Sequence, residues 1–259
     1  MKINVIIPTY KPDEKFERNL RMLRRQILQP DRILIINTEE SLFHSKEFGK
    51  LPQGEIIHIK KSEFDHGGTR NRAAAMCDGD IIVLLTQDAI PADEYLLENL
   101  TKPFEDPEVC AAYGRQMADW KDNPVEAYTR TFNYPKESRI KSKEDLPVLG
   151  IKTFFCSNVC AAYRKSVYDA MGGFPLHTIF NEDMIFASRL IEAGKKIAYA
   201  ADAKVWHWHN YGAVEQCKRN FDLAVSQVDY GGLFAAVKSE SEGIRLVKTT
   251  LLYFIKKHR

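Results

Sequence analysis

Asp88 is the first residue in this chain placed to do chemistry. Five apolar residues, Ile81-Ile82-Val83-Leu84-Leu85, run into Thr86-Gln87-Asp88-Ala89-Ile90-Pro91. Such a run reads as a buried strand. Open α/β sheets bind ligands just beyond the carboxyl ends of their strands. A lone acid there suits a cation that carries phosphates, and a plain turn holding an Asp has the same pattern. A second group is Asp65-His66-Gly67-Gly68-Thr69-Arg70-Asn71. Two glycines let a backbone approach a ligand, a helix starting near Thr69 aims N–H groups at an anion, and Arg70 adds a fork for phosphate. An ordinary β-to-α turn with a solvated Arg fits equally. The third is Asn181-Glu182-Asp183 ahead of a helix. Its acids suit helix capping or a general base, and spacing does not separate the two. The fourth is Trp206-His207-Trp208-His209-Asn210-Tyr211. Alternate strand residues share a face, so both imidazoles can point the same way. An acid with imidazoles on a divalent cation suits Mn²⁺ at least as well as Mg²⁺.

These groups need a scaffold. Ile3 to Ile7, Arg32 to Ile36, Glu55 to Ile59 and Ile81 to Leu85 read as strands. Lys11 to Gln29 has Phe16, Leu20, Leu23 and Ile27 at helical spacing, with Asp13 as its N-cap. The order β, α, β, β, α, β predicts a largely parallel sheet with crossover helices. Further on, the pattern predicts a helix over 91–104, a strand over 109–115 and a helix plus long loop over 117–146. It then predicts a strand over 153–163, a short helix over 164–171 ended by Gly172-Gly173, a helix over 182–193 with Gly194 as its C-cap, and two short strands over 197–201 and 204–207. The rest reads as helical.

The 259 residues suit one large α/β domain or two lobes sharing a sheet. A net charge of +2 gives no sign of nucleic-acid binding. Five scattered cysteines with no C-x-x-C pair read as reduced thiols, not a zinc ribbon. No run reaches the roughly 18 apolar residues of a membrane helix, and the first residues are too short in apolar length for a signal peptide. The expectation is a cytoplasmic protein with at most peripheral membrane contact. The tail supplies a candidate for that contact. Ile244, Val247, Leu251, Leu252 and Ile255 form an apolar stripe among Arg245, Lys248, Lys256, Lys257 and Arg259. This suits an anionic membrane at the inner face of the cell membrane, or packing against protein.

In order along the chain, Val5-Ile6-Ile7-Pro8-Thr9-Tyr10, Thr69-Arg70-Asn71, Thr86-Gln87-Asp88-Ala89, Gly172-Gly173-Phe174, Glu182-Asp183 and Arg189-Leu190 resemble the large inverting family two of glycosyltransferases. Phe64 to Asn71, Thr86 to Pro91, Tyr113-Gly114-Arg115-Gln116 and His207 to Tyr211 resemble its bacterial rhamnosyltransferases. The resemblance implies an α/β fold of GT-A type, a mostly parallel mixed sheet flanked by helices, with a helical tail. Residues 1–215 would form the catalytic domain, nucleotide-binding over 1–105 and acceptor-binding over 106–215, with the tail over 216–259. It also implies roles. Pro8, Thr9 and Tyr10 would line the nucleotide pocket, with Asp65, His66, Arg70 and Gln87 near it. Asp88, with His207 or His209, would bind Mn²⁺ or Mg²⁺. Asp183 would be the base beside Glu182, and Arg115 and Gln116 would face the donor sugar or acceptor. Two departures stand out. Asn37-Thr38-Glu39 replaces the family's acids after the second strand, leaving Thr38 or Glu39 to substitute in holding the base. The D-x-D has one carboxylate.

The expected reaction moves L-rhamnose from dTDP-L-rhamnose to a hydroxyl of a cell-surface polysaccharide or lipid-linked glycan, with inversion and metal assistance. The alternatives are another nucleotide-sugar on the same fold, or a glycan-binding scaffold without catalysis. A pyrophosphorylase would want a glycine-rich phosphate loop, and Pro8-Thr9-Tyr10-Lys11-Pro12 has no glycine.

Overall fold

The computed structural model describes residues 1–209, 211–234 and 240–257. The first apolar runs become β1 (Ile3–Tyr10), β2 (Arg32–Thr38), β3 (Gly54–Ile59) and β4 (Ile81–Leu85), all parallel in the order β3-β2-β1-β4. Along β1 and β4 side chains alternate between two cores. Ile6, Ile82 and Leu84 face one; Ile3, Val5, Ile7, Ile81, Val83 and Leu85 face the other. A strand apolar on both faces must be covered on both, and each buried aliphatic side chain contributes about 1.5–3 kcal/mol. Helix α1 (Glu14–Arg24) covers one face through Phe16, Leu20 and Leu23. Helix α2 (His66–Ala75) covers the other through Ala73 and Ala74.

Two predicted helix boundaries move. Asp13 caps α1 as expected, but α1 stops at Arg24 because Gln26 turns back to the carbonyls of Met22 and Asp93, leading the chain away. Helix α2 starts at His66, not near Thr69, so both glycines lie in its first turn. Asp65 caps it by accepting from the Gly68 N–H. Gly67 is there for space: a Cβ would sit 1.9 Å from the Pro175 carbonyl oxygen.

The second half completes the sheet. It runs through β5 (Ile90–Pro91), α3 (Leu96–Thr101), β6 (Val109–Met117), α4 (Pro124–Asn133), β7 (Arg139–Lys141), α5 (Leu146–Leu149), β8 (Cys160–Arg164), α6 (Lys165–Ala170), α7 (Glu182–Glu192) and β9 (Lys196–Trp206). The order is β3-β2-β1-β4-β8-β6-β9-β5, with β7 also on β9. Strands β6 and β9 are parallel to each other, and β8 runs antiparallel between β4 and β6. The mostly parallel mixed sheet flanked by helices is thus present. The carboxyl ends of β1, β2, β3, β4, β6 and β9 share one edge, together with the start of β8.

Several local expectations are corrected. The helix expected within 117–146 is α4, and the loop expected with it holds the short strand β7 and leads into α5. The strand anticipated over 153–163 begins only at Cys160 and runs to Arg164, because buried Lys141 donates to the carbonyls of Lys152 and Phe155 and holds the preceding segment in a helical turn. Pro91 sits in a two-residue strand against β9, where no partner needs its missing N–H. The two short late strands are one strand, β9, bulged where the register jumps from Gly114–Ala200 to Arg115–Lys204. A Cβ on Gly114 would meet the Ala203 oxygen at 2.6 Å, so the bulge requires glycine there.

The tail forms α8 (Ala213–Asp229), α9 (Gly231–Phe234) and α10 (Glu240–Lys257). Tyr253 of α10 stacks on Tyr128 of α4 at 4.5 Å and lies 5.9 Å from Trp120. Among the described residues no helix is long and apolar enough to cross a membrane.

Candidate active site

Strand ends bring the predicted groups to one edge of the sheet. Asp88 follows β4. His207 continues β9, its N–H bonded to the Met117 carbonyl at 2.9 Å. The extended chain puts His207 and His209 on one side, and each Nε2 lies 3.5 Å from Asp88 Oδ2. The ligand atoms of the three residues lie within 4.8 Å of one another. Helix α4 holds the trio from behind. Arg130 donates to Gln116 Oε1 at 2.6 Å and to Glu126 at 2.9 Å, and Glu126 accepts the His209 N–H at 3.0 Å. His207 Nδ1 lies 3.0 Å from Gln116 Oε1 and 3.2 Å from Arg130 Nη2. With Nδ1–H donated to Gln116, the Nε2 lone pair is free for a cation; the other tautomer donates Nε2–H to Asp88.

The electrostatics suit metal ligation. Burial alone would raise the Asp88 carboxyl, but the hydrogen bond from His207 and the adjacent His209 hold it far below the usual carboxylate range. Burial lowers His207, and burial together with His207 lowers His209 to about 4. At neutral pH the trio offers one carboxylate and two neutral imidazoles. That donor set fits a divalent cation of borderline hardness.

Across a cavity of about 410 Å³ lies the second pair. Glu182 and Asp183 open α7 after Asn181, which adopts a left-handed conformation (φ 67°) and gives no side-chain cap. Buried Glu182 pairs with buried Arg70 at 3.4 Å and accepts from Asn158 Nδ2 at 3.1 Å. Half-buried Asp183 accepts main-chain N–H bonds from Asn158 at 2.9 Å and Met184 at 2.8 Å. Burial, then the Glu182 charge, raises its carboxyl to about 7. Two neighbouring acids therefore differ: one is neutralised by Arg70, the other holds a proton near neutral pH.

The structure gathers His66, Arg70, Asp88, Gln116, Glu182, Asp183, His207 and His209 around this cavity. Others lie elsewhere. Arg115 lines a smaller cavity of about 130 Å³ with Trp120 and Trp206. Asp65 is engaged by the N–H groups of Gly68 and His177. Pro8, Thr9, Tyr10, Thr38, Glu39 and Gln87 stand at the carboxyl edge but off the cavity wall. Gln87 and Tyr10 exchange side-chain and main-chain bonds at 2.9 and 3.2 Å, which ties β1 to β4. Thr9 donates to Asn37 Oδ1 at 3.2 Å, and Asn37 Nδ2 lies 3.0 Å from both Glu39 O and His58 Nδ1. Glu39, at φ 65°, turns its carboxylate onto the Lys61 N–H at 2.6 Å. Asn210 lies outside the described residues.

Sequence reading missed Arg130, Glu126, Asn158 and Arg219. Arg219 of α8 lies over Phe180 and Tyr211 at 5.2 and 4.9 Å and adds a cation to the cavity wall. No local pattern marks any of the four.

Residues 4–172 match the family model of glycosyl transferase family 2. The chain belongs to that family. It is a glycosyltransferase, as the earlier motifs led us to expect, and similarity over nearly its whole length agrees. It is 41% identical to the O-antigen chain rhamnosyltransferase RfbN of Salmonella typhimurium, over 99% of this chain and 82% of that protein. It is 41% identical to the O-antigen chain rhamnosyltransferase WbaN of Salmonella anatum, over 97% and 81%. Solved structures agree on the fold. A mannosyltransferase from Pyrobaculum calidifontis in complex with GDP-Man and Mn²⁺ superposes with a TM-score of 0.59 at 18% identity, over 80% of this chain and 56% of that one. TarS of S. aureus in complex with UDP-GlcNAc gives 0.61 at 15% identity, over 82% and 60%. These structural neighbours and the sheet order make the fold GT-A.

Proposed function

We propose that this glycosyltransferase moves L-rhamnose from dTDP-L-rhamnose to a hydroxyl of a cell-surface polysaccharide or lipid-linked glycan, inverting the anomeric carbon. The observation that carries this reading is one cavity with two dissimilar acidic centres. Asp88 is fully ionised between two neutral imidazoles, and Asp183 has a carboxyl raised to about 7. The rhamnose donor and polysaccharide acceptor are supported by the names of the two Salmonella relatives.

In this reading residues 1–105 carry the nucleotide half and 106–215 the acceptor half. The acceptor oxygen attacks C1 of the sugar while the bond from C1 to the diphosphate oxygen breaks and that oxygen keeps the electron pair. Asp183 takes the acceptor proton as general base. Its raised affinity for a proton matches that task near neutral pH. Glu182 is held on Arg70 and Asn158 and stays out of the proton transfer. Asp88, His207 and His209 would hold a divalent cation, Mn²⁺ or Mg²⁺, which when bound offsets negative charge on the leaving diphosphate. Arg130 and Gln116 fix the His207 ring, and Arg219 adds positive potential to the wall.

The test is Asp183→Asn. Transfer falls by at least about a thousandfold while thermal stabilisation by dTDP with Mn²⁺ persists. Wild-type turnover in the variant would remove Asp183 as the base. Donor hydrolysis across several nucleotide-sugars separates dTDP-L-rhamnose from the alternatives.

We further propose peripheral contact with the inner face of the cell membrane. Ile244, Val247, Leu251, Leu252 and Ile255 are exposed on α10, while Tyr253 and Phe254 pack on α4. Exposed Lys248, Lys256 and Lys257 share that helix; Arg259 lies outside the described residues. An apolar stripe with cations suits anionic lipid. Flotation with anionic liposomes should capture the full chain and not a chain ending at Gly243; equal capture refutes this role.

A further inference from the structure

Asn158 lies in the turn that leads into β8, and the reaction as proposed above leaves it without a role. It is 3% exposed and touches both acids of the cavity. Its main-chain N–H reaches Asp183 Oδ2 at 2.9 Å, and its side-chain Nδ2 reaches Glu182 Oε1 at 3.1 Å. Its Oδ1 accepts from the Tyr163 hydroxyl at 2.8 Å. Glu182 pairs with Arg70, and a carboxylate only accepts, so the amide nitrogen must be the end that faces it. The Tyr163 proton then faces Oδ1, and Cys156 Sγ, 3.4 Å from the hydroxyl, can donate to the Tyr163 oxygen. Tyr163 is fully buried among Tyr168, Phe174 and Phe186, with ring centroids 5.9, 5.4 and 5.6 Å away. The amide is thus locked from the core side, and its orientation is transmitted to Glu182.

We propose that Asn158 is the positioning residue of the proton transfer: its amide holds Glu182 on Arg70 while its peptide N–H orients Asp183 to receive the acceptor proton. This rests on the reading of Asp183 as the base. Charges facing Asp183 are Glu182 on its own helix and Arg70 from α2. Cys156, Tyr134 and Tyr163 also face it, and burial keeps all three protonated. Asp88, His207, His209, Arg130 and Arg219 stand on other parts of the same cavity wall.

Asn158→Ala deletes the amide and keeps the peptide N–H. Less of the Glu182 charge is then neutralised, so Asp183 holds its proton to higher pH. The acid limb of the kcat profile should move up by about one pH unit, the scale of a lost hydrogen bond to a charged group. KM for the donor should stay within about twofold, since the nucleotide touches neither group in this reading. Asn158→Asp, which keeps the native shape, should move the limb up further, and Tyr163→Phe should move it less. A limb that stays in place in Asn158→Asp, with kcat lowered evenly or unchanged, overturns the proposal and leaves Asn158 a packing residue. Asp183→Asn measured alongside separates the two ideas. If it retains wild-type turnover, the base assignment itself has failed. If it is inactive and the Asn158→Asp limb has not moved, only the positioning role has failed.

Discussion

Replacing Asp183 by Asn should make the protein more stable relative to wild type as pH rises, while abolishing transfer. The Asp183 carboxyl is raised from an ordinary 3.8 to about 7, first by burial and then by Glu182. Between those values the folded protein binds this proton and the unfolded chain does not. Stability from the protonated carboxyl is therefore complete below 3.8 and is lost as pH climbs to about 7. At about 1.4 kcal/mol for each pH unit, that interval sets an upper bound of about 4 kcal/mol on the loss. Asn does not titrate, so it escapes the loss. It carries a fixed penalty instead, because its NH₂ must face the N–H of either Asn158 or Met184, both of which donate to Asp183 now. The two effects separate by pH. The stability of Asp183→Asn minus that of wild type should climb between pH 4 and 7 and level off above. Other titrating groups largely cancel in the difference. Urea unfolding followed by tryptophan fluorescence measures it, and wild-type turnover in the same buffers should drop about tenfold per unit below pH 7. A difference that stays flat from pH 4 to 7 would refute the raised carboxyl, and with it the physical basis for the base assignment.

Gly67→Ala should destabilise the protein by about 1–3 kcal/mol in urea unfolding, since a Cβ would lie 1.9 Å from the Pro175 carbonyl and the start of α2 must move. Arg130→Lys should weaken Mn²⁺ binding by about 10- to 100-fold in calorimetric titration, because a lysine cannot bridge Gln116, Glu126 and His207 at once.

What the sequence revealed depended on how local the signal was. Asp88 was readable because a five-residue apolar run ends just before it, and His207 and His209 because alternate strand residues share a face. Glu182 and Asp183 announced a helix start, but their unlike environments come from elsewhere. Arg70 arrives from α2, and Asn158 lies 25 residues before Asp183. Arg130 meets His207 across 77 residues and Gln116 meets it across 91, contacts that exist only once β6 and β9 pair. Neighbours on a strand lean to opposite faces, and of Arg115 and Gln116 only Gln116 reaches the larger cavity, while both line the smaller one. The glycines at 67 and 68 left two readings open for a related reason. They suit a phosphate-binding turn or an ordinary one, and the close approach at Gly67 is to the Pro175 backbone, over 100 residues away in sequence.

The single carboxylate after β4 now has a structural counterpart. Ala89 is fully buried in one of the two apolar cores, where a charge is costly. The imidazoles of His207 and His209, just past the end of β9, instead lie 3.5 Å from Asp88, and α4 anchors them. The ligand set thereby depends on three segments: the end of β4, the end of β9 and helix α4. Helix α10 packs on α4 through Tyr253 and Tyr128, so the tail is mechanically joined to the residues that orient His207 and His209. Asp183 is held from the other wall, by α7 and the turn before β8. In the proposed reaction the two sides meet at Gln116, which accepts from Arg130 at 2.6 Å and donates to Ser157, next to Asn158, at 2.9 Å. A change that disturbs α4 should reach His207 and His209 directly, and the turn that holds Asp183 only through Gln116 and its bond to Ser157.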